Sequence, residues 1–590
     1  MGVSETPDAS VLAGGPDECG EGAGGRVPEE KAMRLLRAWA VAALAAVSVA
    51  WAGGAPPDMV STGEDLTCHF VPWDGCDGWL AANRFAILAA SRRATPVPAG
   101  AARAEDAVAR GKARDALSAA LKSRDDAVSS EAAFALGLAG DVRDIPTLAA
   151  IVADARASRR MQRLAALGLG ELPAGNAAQA DEARKALLGA LADGIAQKDK
   201  LACFWSDCAY ALAMRGEAST VPRLVELRRK AFPDSRVWTS PELVGAICYA
   251  IGVLGGDAQL PELELELRAR RQMQDFVGDA AWSIPHALGR MGGEKALTLL
   301  RQTTHDEREF VRIVAVQALG GAVGPADEES AQALRDAMAK DVYVPCRQMA
   351  AIGLGRMGSP AAGAALATAL DHASSVDKRF YAVALALWLR RTPDAKLAAQ
   401  ISGALEKSHS QDDRVSLAIA CGLAGIQTAR AAVVDTMPKN RGGPNAAAAS
   451  FALGLLGAGP AERKLLHEVV AQSADPTSRR EAAVALGLLR DHEVVDRLRA
   501  IVRSKGSDLD RGSAACCLGL VGDDADIDFV VGMIAEHATS DPLRACLVHG
   551  LGRLLDRAEG AGLARVVAGG RWYRQQDCVD PFSDIRSLVD

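Results

Sequence analysis

Aromatic side chains are scarce in this 590-residue chain: Phe, Tyr and Trp make up 4 % of it, while apolar residues as a whole make up 49 %. The apolar content is therefore mostly Ala, Leu and Val, which suits close helix–helix packing and argues against a β-sandwich. A strong charge of either sign is also missing. A net charge of −7 excludes a generally basic, nucleic-acid-coating surface, so no nucleic-acid partner is expected. Charged residues at 24 % and a mean hydropathy of +0.05 exclude a polytopic membrane protein. The spacings C-x-x-C, C-x-x-C-H and H-E-x-x-H do not occur, so zinc and c-type haem lack their usual cues. No cofactor and no metal are expected.

The N-terminal stretch has no periodicity. Residues 1–32 are Gly-rich and acidic and read as a disordered leader, or as sequence upstream of a true start at Met33. From Met33 the chain carries Arg34 and Arg37, an apolar stretch from Ala38 to Ala50, and Ala50-Trp51-Ala52 before Gly53. These are the parts of a secretory signal peptide over 33–52. The run is short of the roughly 20 residues that a membrane-spanning helix needs. Export to a periplasmic or secreted location is expected, with a cytoplasmic location as the alternative; no integral membrane domain is expected beyond this signal. Cys68 and Cys76 lie in the loop-like TCHFVPWDGCDGW, where a disulfide suits an oxidising compartment. Cys203, Cys208, Cys248, Cys346, Cys421, Cys516, Cys517 and Cys546 sit in Ala-rich helical segments and read as small buried hydrophobes.

One phrase, roughly A-x-A-L-G-x-L-G, recurs from end to end. Examples are AFALGLAGD at Ala133, YAIGVLGGD at Tyr249, HALGRMGGE at His286, FALGLLGAG at Phe451 and HGLGRLLD at His549. Its central aliphatic falls at Leu136, Leu167, Leu212, Ile251, Leu288, Leu319, Leu354, Leu387, Leu423, Leu453, Leu486, Leu518 and Leu551, at intervals of 30 to 45 residues. Each unit reads as two helices. The phrase closes one helix, and a following Gly supplies a left-handed cap. Proline opens the next helix at Pro146, Pro222 and Pro261. A turn containing Asp, as at Asp377, Asp475, Asp510 and Asp541, then leads into the next Ala-rich helix.

This pattern resembles the HEAT repeat, in the short, glycine-ended form called phycobilisome-lyase-like. The resemblance covers residues 105–560 and implies an all-α fold: an α-solenoid, or armadillo-like superhelix, of about 13 two-helix repeats, with second helices lining a concave face. A 33-residue helix pair cannot bury its own apolar face, whereas stacking buries it against neighbours. Thirteen units at about 8–10 Å spacing predict an open arc on the order of 100–130 Å. Residues 53–104 are expected to form a linker and N-terminal cap, and 561–590 a C-terminal cap. Three long intervals between Leu167 and Leu288 place insertions in 171–183, 230–242 and 268–279, emerging on one edge.

Catalytic patterns are weak. Gly353-x-Gly355-x-x-Gly358 matches the dinucleotide fingerprint literally but lies at a helix end with no strand before it. Deoxyhypusine hydroxylase is a HEAT-like enzyme that binds iron through His-Glu pairs just before the Ala-Leu-Gly phrase. Here Arg480-Glu481 and Ser130-Glu131 stand at that point, and His467-Glu468 and His492-Glu493 fall in other frames. The expected function is therefore a non-enzymatic scaffold holding a protein or peptide partner along the concave face. A lyase-type enzyme of the phycobilisome-lyase-like group and a structural cell-envelope spacer are the alternatives. Two residues before the central aliphatic lies about 200° around the helix from it, and is expected to face outward. Phe134, Tyr210, Tyr249 and His286 occupy that position, with Trp282 one turn before His286. These five are the candidate partner-binding residues.

Overall fold

The computed structural model describes residues 107–197, 202–231, 241–269, 283–489 and 491–555, all within the unit Thr67–Asp590. The leader, the signal peptide, the segment 53–104 with Cys68 and Cys76, Trp282 and the cap 561–590 lie outside the described residues.

The described chain is all helix and turn, in thirteen antiparallel pairs. The first pairs are α1 (Ala107–Ala120) with α2 (Asp126–Ala139), α3 (Ile145–Ala153) with α4 (Arg159–Glu171), α5 (Ala177–Gln197) with α6 (Ala202–Arg215), and α7 (Val221–Ala231) with α8 (Pro241–Gly255). Next come α9 (Leu260–Ala269) with α10 (Ser283–Met291), α11 (Glu294–Thr303) with α12 (Glu309–Ala322), α13 (Glu328–Lys340) with α14 (Val344–Met357), and α15 (Ala362–His372) with α16 (Ser375–Leu389). The rest are α17 (Ala395–Lys407) with α18 (Gln411–Leu423), α19 (Arg430–Thr436) with α20 (Pro444–Leu456), α21 (Pro460–Gln472) with α22 (Pro476–Leu488), α23 (Glu493–Arg503) with α24 (Asp508–Val521), and α25 (Ile527–Ala535) with α26 (Asp541–Leu555). Odd-numbered helices form an outer layer. Even-numbered helices carry the repeated phrase and pack side by side in order.

The array does not end as an open arc. α26 packs on α2 as closely as consecutive inner helices pack on each other, and α25 lies against α1. The thirteen inner helices therefore close into a ring, and at about 8–10 Å between axes such a circle has a radius of about 17–21 Å. The contour expected of the arc is the circumference of this ring. End repeats that would otherwise need caps cover one another.

The glycine after the central aliphatic sets how closely inner helices approach. A Cβ at Gly320 would fall 2.1 Å from the Cα of Gly353, and one at Gly454 or Gly519 would fall 2.7 Å from the Cα of Ala485 or Gly550. Gly252 meets Ala287 in the same way, with 2.7 Å to its Cβ. In each case the residue after the central aliphatic of one helix faces the residue before that of the next. Gly137 meets Gly168, and Gly170 meets the Cα of Ala211 at 3.0 Å. This register makes Leu169, not Leu167, the centre of the second repeat; Gly355 against Ala384 and Gly422 against Ala452 likewise make Leu385 and Cys421, not Leu387 and Leu423, the centres of the eighth and ninth. The intervals on either side of Leu169 become 33 and 43 residues. The dinucleotide-like glycines are spent on the same packing: Gly353 on Gly320, Gly355 on Ala384, and Gly358 as a left-handed helix end at φ 73°.

Helix starts follow the sequence with one correction. Pro146, Pro222 and Pro261 stand in the first turns of α3, α7 and α9, each after a short 3₁₀ turn. The inner-helix caps are mostly serines rather than the aspartates. Ser374, Ser410, Ser507 and Ser540 accept from backbone amides three residues on, while Asp377, Asp510 and Asp541 sit inside the first turn, where the helix dipole favours them. Asp475 alone of the expected set caps as anticipated, accepting from Ser478 N at 3.0 Å.

Burial matches the small-residue composition. Cys208, Cys248, Cys346, Cys421, Cys516 and Cys517 are buried thiols, as expected, and Cys546 is half-buried. The stretch Leu243–Arg268 is apolar and long enough to cross a bilayer, but it is α8 and α9 joined by the 3₁₀ turn Gly256–Gln259. α8 is packed between α6 and α10 within the ring.

Candidate functional site

The expected aromatic groove is closed. Phe134, Tyr210 and Tyr249 are each 1 % exposed, and His286 is 7 % exposed. Glycine-mediated approach leaves no free strip between neighbouring inner helices, so rings on the predicted face are swallowed by the next helix. Tyr210 and Tyr249 meet at 5.7 Å between ring centroids, tilted by 59°. Phe134 joins Leu138, Leu164 and Leu167 in an apolar cluster separate from the main core, with Met214 against it. His286 is held neutral: burial, and then the Arg290 and Arg356 charges, push its pKa down to about 3. These four are packing residues.

Among the described residues four large apolar side chains are exposed: Val108 at the start of α1, and three on α9 and at the turn before α14. Val342 is 90 % exposed in the short turn before α14, with Val344 exposed beside it. Leu265, at 58 %, stands on α9 two repeats earlier. A hollow of about 400 Å³ lies on the same helix, walled by Glu264, Leu267 and Arg268 of α9 and by Leu299, Gln302 and Thr303 of α11. His305, Asp306 and Glu307, in the turn after α11, complete it.

A ladder of ionic hydrogen bonds fixes the edge from α9 to the turn before α14. Arg308 donates to the Asp306 carboxylate at 2.9 Å and to the carbonyl of Leu267 at 3.2 Å, tying the turn to the end of α9. Arg312 donates to both oxygens of Asp341 at 2.7 and 3.0 Å and to the carbonyls of Asp306 and Glu307. Burial works to raise the Asp341 pKa, but the Arg312 hydrogen bonds and the Tyr343 amide outweigh it and hold the carboxyl below its ordinary value. The side chain of Asp341 and the carbonyl beside it then brace Tyr343 N and Arg347 at 2.8 Å each. The loop carrying Val342 is thus a rigid mount for an exposed apolar tip.

The longest separations between consecutive described helices also fall between an outer helix and the inner helix that follows it. Nine residues separate α7 from α8 and thirteen separate α9 from α10, against two to seven at the other described outer-to-inner turns. These spans, 232–240 and 270–282, lie outside the described residues. The first expected insertion is different: residues 177–183 begin the 21-residue helix α5. The exposed turn of Val342 was missed from sequence because its signal, Val-Tyr-Val, reads as ordinary core.

One polar network crosses the join between the last and first repeats. Glu131 accepts from Arg160 at 3.0 Å and pairs with His549 Nδ1 at 3.2 Å, while Arg553 donates to His549 Nε2 at 3.2 Å. An arginine donating to Nε2 places the imidazole proton on Nδ1, facing the carboxylate. Glu131 and His549 are buried, so this chain of groups braces the ring rather than meeting a substrate.

The sequence matches no family model and no curated protein. Similar solved structures include the complex of CpcE and CpcF of phycocyanin lyase from Nostoc sp. PCC7120, at 18 % identity and a TM-score of 0.29, over 44 % of this chain and 95 % of that one. Human deoxyhypusine hydroxylase in complex with glycerol is similar at 18 % identity and a TM-score of 0.23, over 53 % of this chain and 96 % of that one. At these scores neither bears on activity; the fold rests on the helix pairs themselves.

Proposed function

We propose that the ring is a non-enzymatic scaffold that holds a protein or peptide partner on the edge between α9 and α14. The observation that supports this reading is the exposure of three large apolar side chains, Leu265 on α9 and Val342 and Val344 at the braced turn before α14. Large apolar side chains held in water by a rigid turn favour a partner that covers them, and interface energy concentrates on such few anchors. Both Leu265 and Val342 are far enough out that replacing them leaves the core intact.

The test uses photo-crosslinkers placed at Val342 and, on the opposite edge, at the exposed Ala258, in cells that express the chain. The reading expects one protein species crosslinked from Val342 and not from Ala258. That species should be lost in the double variant Leu265→Asp with Val342→Asp, which should keep its thermal stability. Crosslinks from Ala258 alone, or binding untouched by the double variant, overturn the docking edge. Recovery of the chain with a bound chromophore favours the lyase-type alternative.

The proposal includes export. The signal-like 33–52 supports a mature chain beginning near Gly53 with Cys68 joined to Cys76. Intact mass of the cellular protein checks it: retention of 33–52 with free thiols at both positions places the chain in the cytoplasm.

A further inference from the structure

On the outer layer, four repeats beyond the docking edge, three metal-ligating side chains converge that the proposed scaffold role does not use. His467 projects from the middle of α21, Asp491 comes from the turn that joins α22 to α23, and Glu493 opens α23. Their donor atoms all lie within 4.8 Å of one another. The His467 Nε2 stands 3.2 Å from Asp491 Oδ2 and 3.9 Å from Glu493 Oε2.

These separations have two readings. A histidine beside an aspartate is most simply a hydrogen-bonded pair. Here, however, neither ring nitrogen of His467 makes a hydrogen bond, although the residue is only 8 % exposed. A buried imidazole left without partners is an unfavourable arrangement that native proteins avoid. A cation bound at Nε2 would resolve it. Ligands held about 2.0–2.2 Å from a shared tetrahedral ion stand about 3.3 Å apart. The His467–Asp491 separation already fits. The Glu493 carboxylate is 85 % exposed and free to swing inward by the remaining few tenths of an ångström. Asp491 is itself oriented: its Oδ1 accepts from Glu493 N at 3.1 Å, leaving Oδ2 toward the imidazole.

We propose that His467, Asp491 and Glu493 form a binding site for a first-row divalent cation, zinc foremost, clipping α21 to the start of α23. One imidazole and two carboxylates are a borderline nitrogen–oxygen set that suits zinc better than calcium or magnesium, which favour all-oxygen shells. The remaining position is open to water. Arg463 opposes binding in part, since its Nη1 lies 3.4 Å from Asp491 Oδ2. It is also held by the carbonyls of Ala458 and Leu489 at 3.2 Å each. Two carboxylates against one guanidinium still leave a net negative site, of modest affinity. The site is separate from the docking edge, and its failure says nothing of partner binding.

The experiment titrates zinc, and in parallel cobalt, into purified full-length chain against a competing chromophoric chelator. The wild type should take up one equivalent beyond that taken by His467→Gln, and the cobalt form should show a visible absorption band absent from that variant. Glu493→Gln, at an exposed position that does not threaten folding, should bind about tenfold more weakly. Glu468→Gln, whose carboxylate pairs with Arg441 instead, should bind as the wild type does. Zinc should raise the melting temperature of the wild type and not of His467→Gln. Equal uptake by wild type and Glu493→Gln, or cobalt bound without any band lost in His467→Gln, overturns the site.

Discussion

The join between α26 and α2 and the junction between α24 and α26 use the same contact. At the internal junction Gly519 faces Gly550; at the join Gly552 faces Ala135, with 2.7 Å to its Cβ. The register is identical, yet one pair of helices is linked by a short stretch of chain and the other meets across a span of 418 residues between Glu131 and His549. Connectivity is the only large difference. Closure is therefore the thirteenth use of one interface rather than a special latch, and ring size follows from the small turn that each glycine contact imposes. The join also carries polar contacts: the buried Glu131–His549 pair and Arg110 of α1 donating to the Leu555 carbonyl of α26 at 2.9 Å.

The largest expected effects come from buried carboxylates on the two kinds of junction. Asp207, fully buried, accepts from Arg163 at 2.9 Å between α4 and α6, as Glu131 serves the join. Asp207→Ala and Glu131→Ala should each cost about 3–5 kcal/mol in denaturant unfolding. Only Glu131→Ala should also enlarge the radius of gyration measured by X-ray scattering. Expansion in both, or in neither, would erase the distinction between join and junction.

Glycine variants give a smaller and more symmetrical contrast. Gly519→Val and Gly552→Val each force a side chain against packed backbone or side chain, for about 1–3 kcal/mol. The internal variant should shift locally and stay closed, whereas the join variant should release residues near α2 and α26 to hydrogen exchange. Acidification probes an internal junction. His286 titrates near 3 when folded and near 6.5 otherwise, so between these values the unfolded chain binds the extra proton. Stability from this group is present above pH 6.5 and lost as pH falls toward 3, by about 1.4 kcal/mol at pH 5.5. His286→Gln should flatten that slope in urea melts taken between pH 5 and 7. Least of all should come from the outer ion pair of the join, Lys112 with Asp528 at 2.9 Å, where both side chains are more than half exposed. Asp528→Asn should change stability by less than about 1 kcal/mol.

The helix pairs were legible because the phrase marks every inner helix once, and Gly140, Gly358 and their equivalents end helices as read. AALGLGEL misled because Leu167-Gly168-Leu169-Gly170 fits the phrase in two registers, and only the contacts of Gly168 with Gly137 and of Gly170 with Ala211 choose between them. Closure was hidden: it is a sum of thirteen small rotations, and no single residue encodes it. The aromatic positions were placed on the correct stripe of the helix but not in their surroundings, since angular position says nothing of how close the neighbour comes. The exposed edge around Val342 escaped notice for the converse reason, as apolar residues in a tight turn carry no periodic signal. His467, Asp491 and Glu493 could have been noticed as a histidine followed by D-x-E, but only a known turn brings that acidic pair back over α21.

An open stack of repeats melts from its ends, where each terminal unit is held on one side only. A ring has no such unit. To begin unfolding, this chain must release two interfaces around one repeat at once, or part the join and accept an open form that has lost a full contact. Where the sequence begins is correspondingly arbitrary to the array. Joining residue 555 to residue 107 by a linker and cutting the turn 438–442 would give a chain of different order with every interface kept. Its ability to fold would show that the repeats, not the termini, define the molecule.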